Sequence, residues 1–389
     1  MHKHILAVII AVTLMLCGIG VYAEDETETG AEAVILDLNA KANVLMEAST
    51  GRVLYSNKPD AKLPMASVTK VMTMLLTMEA IDSGRLAYDD IVVASERAKS
   101  MGGSTIFLDT GEEMSVHDLL KGIAVASGND ACVAIAEHIA GSEEAFVSMM
   151  NSRAAELGMV NSSFKNTNGL DAEGHYSSAL DIAIMTRELL KHPKILEYTT
   201  IWMDGLRGGK FQLANTNKLI RFYKGANGMK TGSTDEALYC LSGTAMRNDM
   251  QLIAVVLGAP TSAERFADAS KLLDFGFANY SIKQIVTAGE SLGTVNVMKG
   301  LLPTVEAVAG NSFNTLVSKG GDAQIRRETA FGDNLEAPIK VGDKLGEIML
   351  FQEDIQVGSV DIVAAGNVDR LTFSAMWSKT LWTWMGSMQ

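Results

Sequence analysis

The sequence predicts an α/β layered domain followed by a small all-β domain and a terminal amphipathic helix. Three observations lead there. Short extended apolar runs stand at both ends of a long helical block between residues 33 and 278. After Ser281 the chain turns to brief apolar runs punctuated by glycine. The last twenty residues place their large apolar side chains near one helical face. A chain of 389 residues can hold two domains and a sizeable core.

In chain order, residues 1–23 read as a secretory signal: His2, Lys3 and His4 precede the apolar run 5–19, and small residues end at Ala23. That run is short for a full membrane span. Leu16 before Cys17 is too large for a lipoprotein cleavage site. The acidic residues 24–32 read as a disordered linker. The layered domain takes residues 33–278. Segments 33–36 and 43–46 read as strands, with a turn at 49–51 and a return strand at 53–55. A helix runs from Ser67 to about Ser83, stopped by Gly84. Ser115 and Asp118 open a helix to about Ala126; Ser127, Gly128 and Asn129 interrupt it, and helical spacing resumes over 130–140. Ser142 opens a helix that ends near Gly158, and another spans 178–191, stopped by His192 and Pro193. Strands at 237–246 and 251–257 flank the polar turn 247–249, and residues 261–275 form a closing amphipathic helix.

Residues 279–368 form the small β domain, with runs such as 293–297, 339–341 and 358–363. In 369–389, Phe373, Met376, Trp377, Leu381, Trp384, Met385 and Met388 share a face, which suits a helix lying in a membrane interface. The competing reading docks this helix on the β domain.

A formal charge of −13 argues against a nucleic-acid surface. Cys132 and Cys240 lie in apolar surroundings and read as buried free thiols. The histidines are scattered, with no metal-ligand spacing, so neither metal nor cofactor is expected.

The chemistry begins at Ser67. Its hydroxyl stands at the head of an apolar helix, and Lys70 lies three residues on, on the same face. A serine becomes a useful nucleophile when a base stands beside it, and the helix N-terminus supplies free N–H groups where an oxyanion would form. The same spacing recurs at Ser162 and Lys165, but no apolar helix follows, and that copy reads as a loop. Ser127 and Asn129 place a hydroxyl and an amide at a break between helices. Residues 229–234 put Lys230, Thr231, Gly232, Ser233 and Thr234 just before the strand beginning near Ala237. Their small side chains let backbone approach a ligand.

Taken in order, Ser67-x-x-Lys70, Ser127-x-Asn129 and Lys230-Thr231-Gly232 resemble the motif set of penicillin-binding serine acyl enzymes. Residues 127–134, 168–178 and 271–276 are similar to landmarks of the low-molecular-mass D-alanyl-D-alanine carboxypeptidases of the penicillin-binding protein 5 type, and the resemblance covers about residues 33–389. It implies a β-lactamase/transpeptidase-like α/β/α sandwich with an antiparallel sheet, ahead of the β domain and the membrane-associating helix. It also implies an exported serine D-Ala-D-Ala carboxypeptidase acting on peptidoglycan pentapeptides and acylated by penicillins. Ser67 would be the nucleophile, Lys70 its base and Ser127 a proton relay to the leaving D-alanine. Asn129 would hold a substrate carbonyl, and Lys230 would lower the proton affinity of Lys70 by repulsion, with desolvation acting in the same direction. The N–H groups of Ser67 and Ser233 would form the oxyanion hole beside Gly232, while Thr231, Thr234 and Arg265 would bind the terminal carboxylate. Many relatives carry histidine where this chain has Ser233, a change that keeps the backbone N–H. A β-lactamase would lack the β domain, and no glutamate suited to rapid deacylation is evident.

Overall fold

A computed structural model describes residues 36–320, 325–352, 354–373, 376 and 377. The expected signal, the linker, residues 33–35 of the first expected strand and most of the terminal helix lie outside the described residues; Leu36 belongs to no strand. Among the described residues, no helix is long and apolar enough to cross a membrane.

The first half is built on a five-stranded antiparallel sheet. In chain order its strands are β1 (Ala42–Glu47), β2 (Val53–Asn57), β3 (Ala226–Thr234), β4 (Leu238–Arg247) and β5 (Met250–Ala259), arranged β2-β1-β5-β4-β3. All six residues of β1 are buried, as expected when both faces of a sheet are covered. One face carries α6 (Ser262–Asn279), where Gly276 lets the helix approach: a Cβ there would stand 2.5 Å from Leu252. The other face carries the helical block α1 (Lys70–Asp82), α2 (Val116–Ala126), α3 (Asn129–Ala140), α4 (Glu143–Glu156) and α5 (Ala179–Leu190). The expected α/β layering is therefore observed.

Helix starts fall where the sequence places them. The hydroxyls of Ser115, Ser142, Ser178 and Thr261 each accept the N–H three residues on, satisfying a donor the helix leaves open. The β4–β5 hairpin closes on Asn248 and Asp249, both at positive φ, the geometry a two-residue turn needs between twisted strands.

One expectation needs correction. Lys230, Thr231 and Gly232 do not lead into a strand; they lie inside β3, a strand of its own at the sheet edge. Asn227, Gly228 and Gly232 give β3 little intrinsic extended preference. Pairing with β4 along 226–234 and packing on the turn at Ser67 impose the conformation.

The second half is all-β, as expected. Strands β6 (Tyr280–Val286) and β9 (Phe313–Ser318) pair with each other, while β7 (Ser291–Asn296), β8 (Thr304–Ala309), β10 (Ile325–Phe331), β11 (Lys344–Gln352) and β12 (Ile355–Ala364) form a sheet in the order β7-β8-β12-β11-β10. It has its own core around Ala307, Ile348, Leu350 and Ile362. Lys319 joins the halves: its ammonium donates to the Phe277 carbonyl at 2.7 Å and its N–H to Asn279 at 2.7 Å, placing a cation at the C-terminus of α6. Beyond Arg370, Phe373 and Trp377 are helical and exposed, with their rings stacked 6.5 Å apart.

Candidate active site

Ser67 lies in a 3-10 turn, Ala66–Thr69, that runs directly into α1. Helix α1 is buried on every side, so core packing rather than a surface cap fixes its start. Two glycines close on this turn. A Cβ on Gly232 of β3 would stand 2.8 Å from the Ser67 nitrogen, and one on Gly169 would stand 2.0 Å from the Ala66 carbonyl oxygen. Ala66 itself adopts φ 48, a left-handed conformation costly for a residue with a Cβ and tolerated where the surroundings over-determine it.

Lys70 is wholly buried. Its ammonium donates to Ser67 Oγ at 2.8 Å, to Asn129 Oδ1 at 2.7 Å and to the Asn168 carbonyl at 2.6 Å. Burial pushes Lys70 down to about 8, with Cys132 and Asp130 pulling the other way. The repulsion expected from Lys230 on Lys70 is expressed elsewhere. Lys230, also buried, is held well below its ordinary value first by burial and then by Lys70. Burial is thus the cause that tunes Lys70.

Ser127 ends α2 at φ 64, and the polar break is confirmed as a turn between α2 and α3. Its neighbour Asn129 accepts from Lys70 and donates through Nδ2 to the Gly102 carbonyl at 2.7 Å. On β3, Lys230 donates to the Thr231 carbonyl, and the Thr231 hydroxyl donates to Thr216 at 2.7 Å. The Thr234 hydroxyl donates to Asp171 at 2.8 Å. Arg265 sits behind the strand rather than in open space. It is 6 % exposed, and its Nη1 donates to the carbonyls of Gly232 at 3.1 Å and Cys240 at 3.3 Å. Burial lowers it to about 10. Ser67, Lys70 and Asn129 are thereby joined by hydrogen bonds, with Gly232 packed on the Ser67 turn and bonded from behind by Arg265, while Thr234 ties the end of the strand to Asp171.

Several contributors carry no assignment from sequence reasoning. The Asn168 carbonyl is a ligand of Lys70, and its loop is tied to α1 by the Thr73 hydroxyl on the Thr167 carbonyl at 2.6 Å. Asp130, next to the Ser127 break, accepts from the N–H groups of Ile106 and Leu108 and so fixes the segment above it. Segment 168–178 is marked in the sequence by resemblance alone. Backbone carbonyls leave no residue signature, and a buried aspartate looks like any other.

A hydroxyl bonded to a buried lysine of lowered proton affinity at the head of a core helix fits the serine peptidases, hydrolases in which a lysine can stand in place of histidine. The comparisons agree. The family model described as D-alanyl-D-alanine carboxypeptidase matches residues 26–261, and the model for the penicillin-binding protein 5 C-terminal domain matches residues 280–370. The chain belongs to this D-alanyl-D-alanine carboxypeptidase family. It is 46% identical over 349 residues to D-alanyl-D-alanine carboxypeptidase DacF of Bacillus subtilis, covering 89% of this chain and 90% of that protein. Among solved structures it resembles penicillin binding protein 5 of Haemophilus influenzae, with 31% identity, a TM-score of 0.71 and coverage of 87% and 99%. It also resembles the ampicillin-bound form of penicillin-binding protein D2 of Listeria monocytogenes, with 33% identity, a TM-score of 0.58 and coverage of 63% and 100%.

Proposed function

We propose that this chain is an exported, membrane-associated serine D-Ala-D-Ala carboxypeptidase that trims the terminal D-alanine from peptidoglycan pentapeptides through an acyl-enzyme on Ser67. The observation that carries this reading is the 2.8 Å contact between Ser67 Oγ and a buried lysine lowered to about 8. The three acceptors around Lys70 explain how it serves as a base. When the ammonium loses one proton, Asn129 Oδ1 and the Asn168 carbonyl retain the other two hydrogens, and the lone pair is left facing Ser67 Oγ.

In this scheme Lys70 takes the Ser67 proton as Oγ attacks the carbonyl of the penultimate D-alanine. The N–H groups of Ser67 and Ser233 receive the oxyanion. The C–N bond breaks, Ser127 relays a proton to the departing D-alanine amine, and water then hydrolyses the ester to release the shortened peptide. Asn129 holds the substrate's peptide carbonyl through Nδ2. Thr231 and Thr234 take the terminal carboxylate, Thr234 releasing Asp171 to do so. Arg265 and Lys230 contribute positive charge from behind and beneath. A β-lactam presents an amide to the same nucleophile, and the ampicillin-bound relative supports penicillin acylation. No metal or cofactor enters the scheme.

The organisation that accompanies this reading is a signal at 1–23, a linker at 24–32, a catalytic domain at 33–278, a β domain at 279–368 and an amphipathic membrane-associating helix at 369–389. Incubation of the purified protein with a pentapeptide ending in D-Ala-D-Ala should release D-alanine, and mass spectrometry after penicillin treatment should find the adduct on Ser67. No D-alanine from protein with an intact Ser67 would overturn the reading.

A further inference from the structure

His175 lies 46 residues beyond Asn129 and 55 before Lys230, the nearest residues of the assigned motifs, yet its imidazole reaches the nucleophile's own turn. Nε2 lies 2.8 Å from the Thr69 hydroxyl. That hydroxyl has a single hydrogen, which it donates to the Ala66 carbonyl at 2.8 Å, so the contact with His175 requires the ring to donate. On its other side Nδ1 accepts the Lys165 N–H at 2.9 Å. The two contacts together select one tautomer, neutral with hydrogen on Nε2. The ring is 7 % exposed and packs edge-on against Phe164. Burial lowers it to about 4, with Asp171 opposing and Lys165 adding to the effect, which agrees with the neutral form.

The end of this chain of bonds is Ala66, the residue at φ 48 that precedes Ser67 and is packed on Gly169 and Gly232. We propose that His175 is a positioning residue. Through Thr69 it holds the Ala66 carbonyl, and with it the strained turn that aims the Ser67 hydroxyl and its N–H. The inference rests on Ser67 being the acylated residue.

The test measures acylation by a fluorescent penicillin per active site, counted by the label bound at completion. His175→Leu should lower the acylation rate about ten-fold, because it leaves the Thr69 hydroxyl oxygen and the Lys165 N–H without their ring partner. His175→Gln keeps an N–H donor in reach of Thr69 and should recover most of that loss. Thr69→Val should slow acylation to the same degree, and adding His175→Leu to it should cost little more, since both break one chain of bonds. If His175→Leu fails to fold, Thr69→Val and His175→Gln still decide between the outcomes. Selective nitrogen-15 labelling should show one imidazole with hydrogen on Nε2 at neutral pH, its signal missing in His175→Gln.

A wild-type rate per site in both His175→Leu and Thr69→Val, with only the melting temperature lowered, would reduce His175 to a packing residue. A signal with hydrogen on Nδ1 would also overturn the proposal. Labelling that survives in Ser67→Ala would instead bring down the assignment of the nucleophile.

Discussion

The chain contains two Ser-x-x-Lys turns, and they differ in everything except spacing. At the first, Lys70 is fully buried, lowered to about 8 and bonded to Ser67 Oγ. At the second, Lys165 is exposed, and the Ser162 hydroxyl is bonded to Asp181 and Ser177, both at 2.7 Å. The first turn opens a helix buried all round; the second lies in the loop ahead of α5. A three-residue spacing brings a hydroxyl and an amine together only where the backbone is helical and the amine is denied solvent. Where the lysine is exposed, the spacing does not bring it to the serine. The serine then finds a carboxylate as partner and becomes structural.

Substitutions that treat the two turns alike sharpen this contrast. The largest effect belongs to Ser67→Ala, which should abolish covalent labelling by a fluorescent penicillin, while Ser162→Ala should label fully. Next, Lys70→Ala should slow acylation by about 10²–10⁴-fold in stopped-flow measurements, the usual worth of a positioned base. Lys165→Ala should leave the rate within about two-fold, its side chain being solvated. The pH profile comes third. Lys70 acts in its deprotonated form, so the acylation rate should rise with pH through about 8 and fall roughly ten-fold per unit below it. A midpoint near the ordinary lysine value of about 10.4 would show that burial does not tune this amine.

Smaller again is Gly232→Ala, which forces a Cβ to 2.8 Å from the Ser67 nitrogen and the Met65 carbonyl. Overpacking of that kind costs about 1–3 kcal/mol, visible as a lower melting temperature together with slower acylation. The smallest change is the stability cost of Ser162→Ala. Losing its bond to the buried Asp181 carboxylate should cost about 1–2 kcal/mol, with catalysis unaltered.

Much of the first turn's setting is legible in the sequence. An unbroken apolar run after Ser67 signals a buried helix, and a polar triplet at 127–129 between apolar stretches signals a break. Cap residues at 115, 142, 178 and 261 signal starts, because their side chains compete for local N–H groups. What escapes notice is held by tertiary contact. Strand β3 lacks the β-branched pattern of a strand and exists through β4 and the Ser67 turn. The Asn168 carbonyl, as a third acceptor for Lys70, belongs to the backbone, which every residue type shares. Arg265, which the resemblance assigns to the terminal carboxylate, does arrive at the strand, yet it engages the carbonyls of Gly232 and Cys240, a role a long polar side chain does not announce.

The position of β3 at the margin of the sheet has a colloidal consequence. Among the described residues, no strand pairs with its outer side, so β3 offers an edge to an extended chain, although Thr199 and Asn217 already donate to the carbonyls of Asn227 and Gly228. Proteins commonly blunt such margins with proline, a bulge or outward charge, and β3 carries one such irregularity between Ala226 and Gly228, with regular register from there to Thr234. On the proposed reading, in which the substrate's end is bound along β3, the stretch past that irregularity has to stay open. A covalently attached penicillin would cover it, and heated suspensions of the acylated protein should scatter less light than those of the free form.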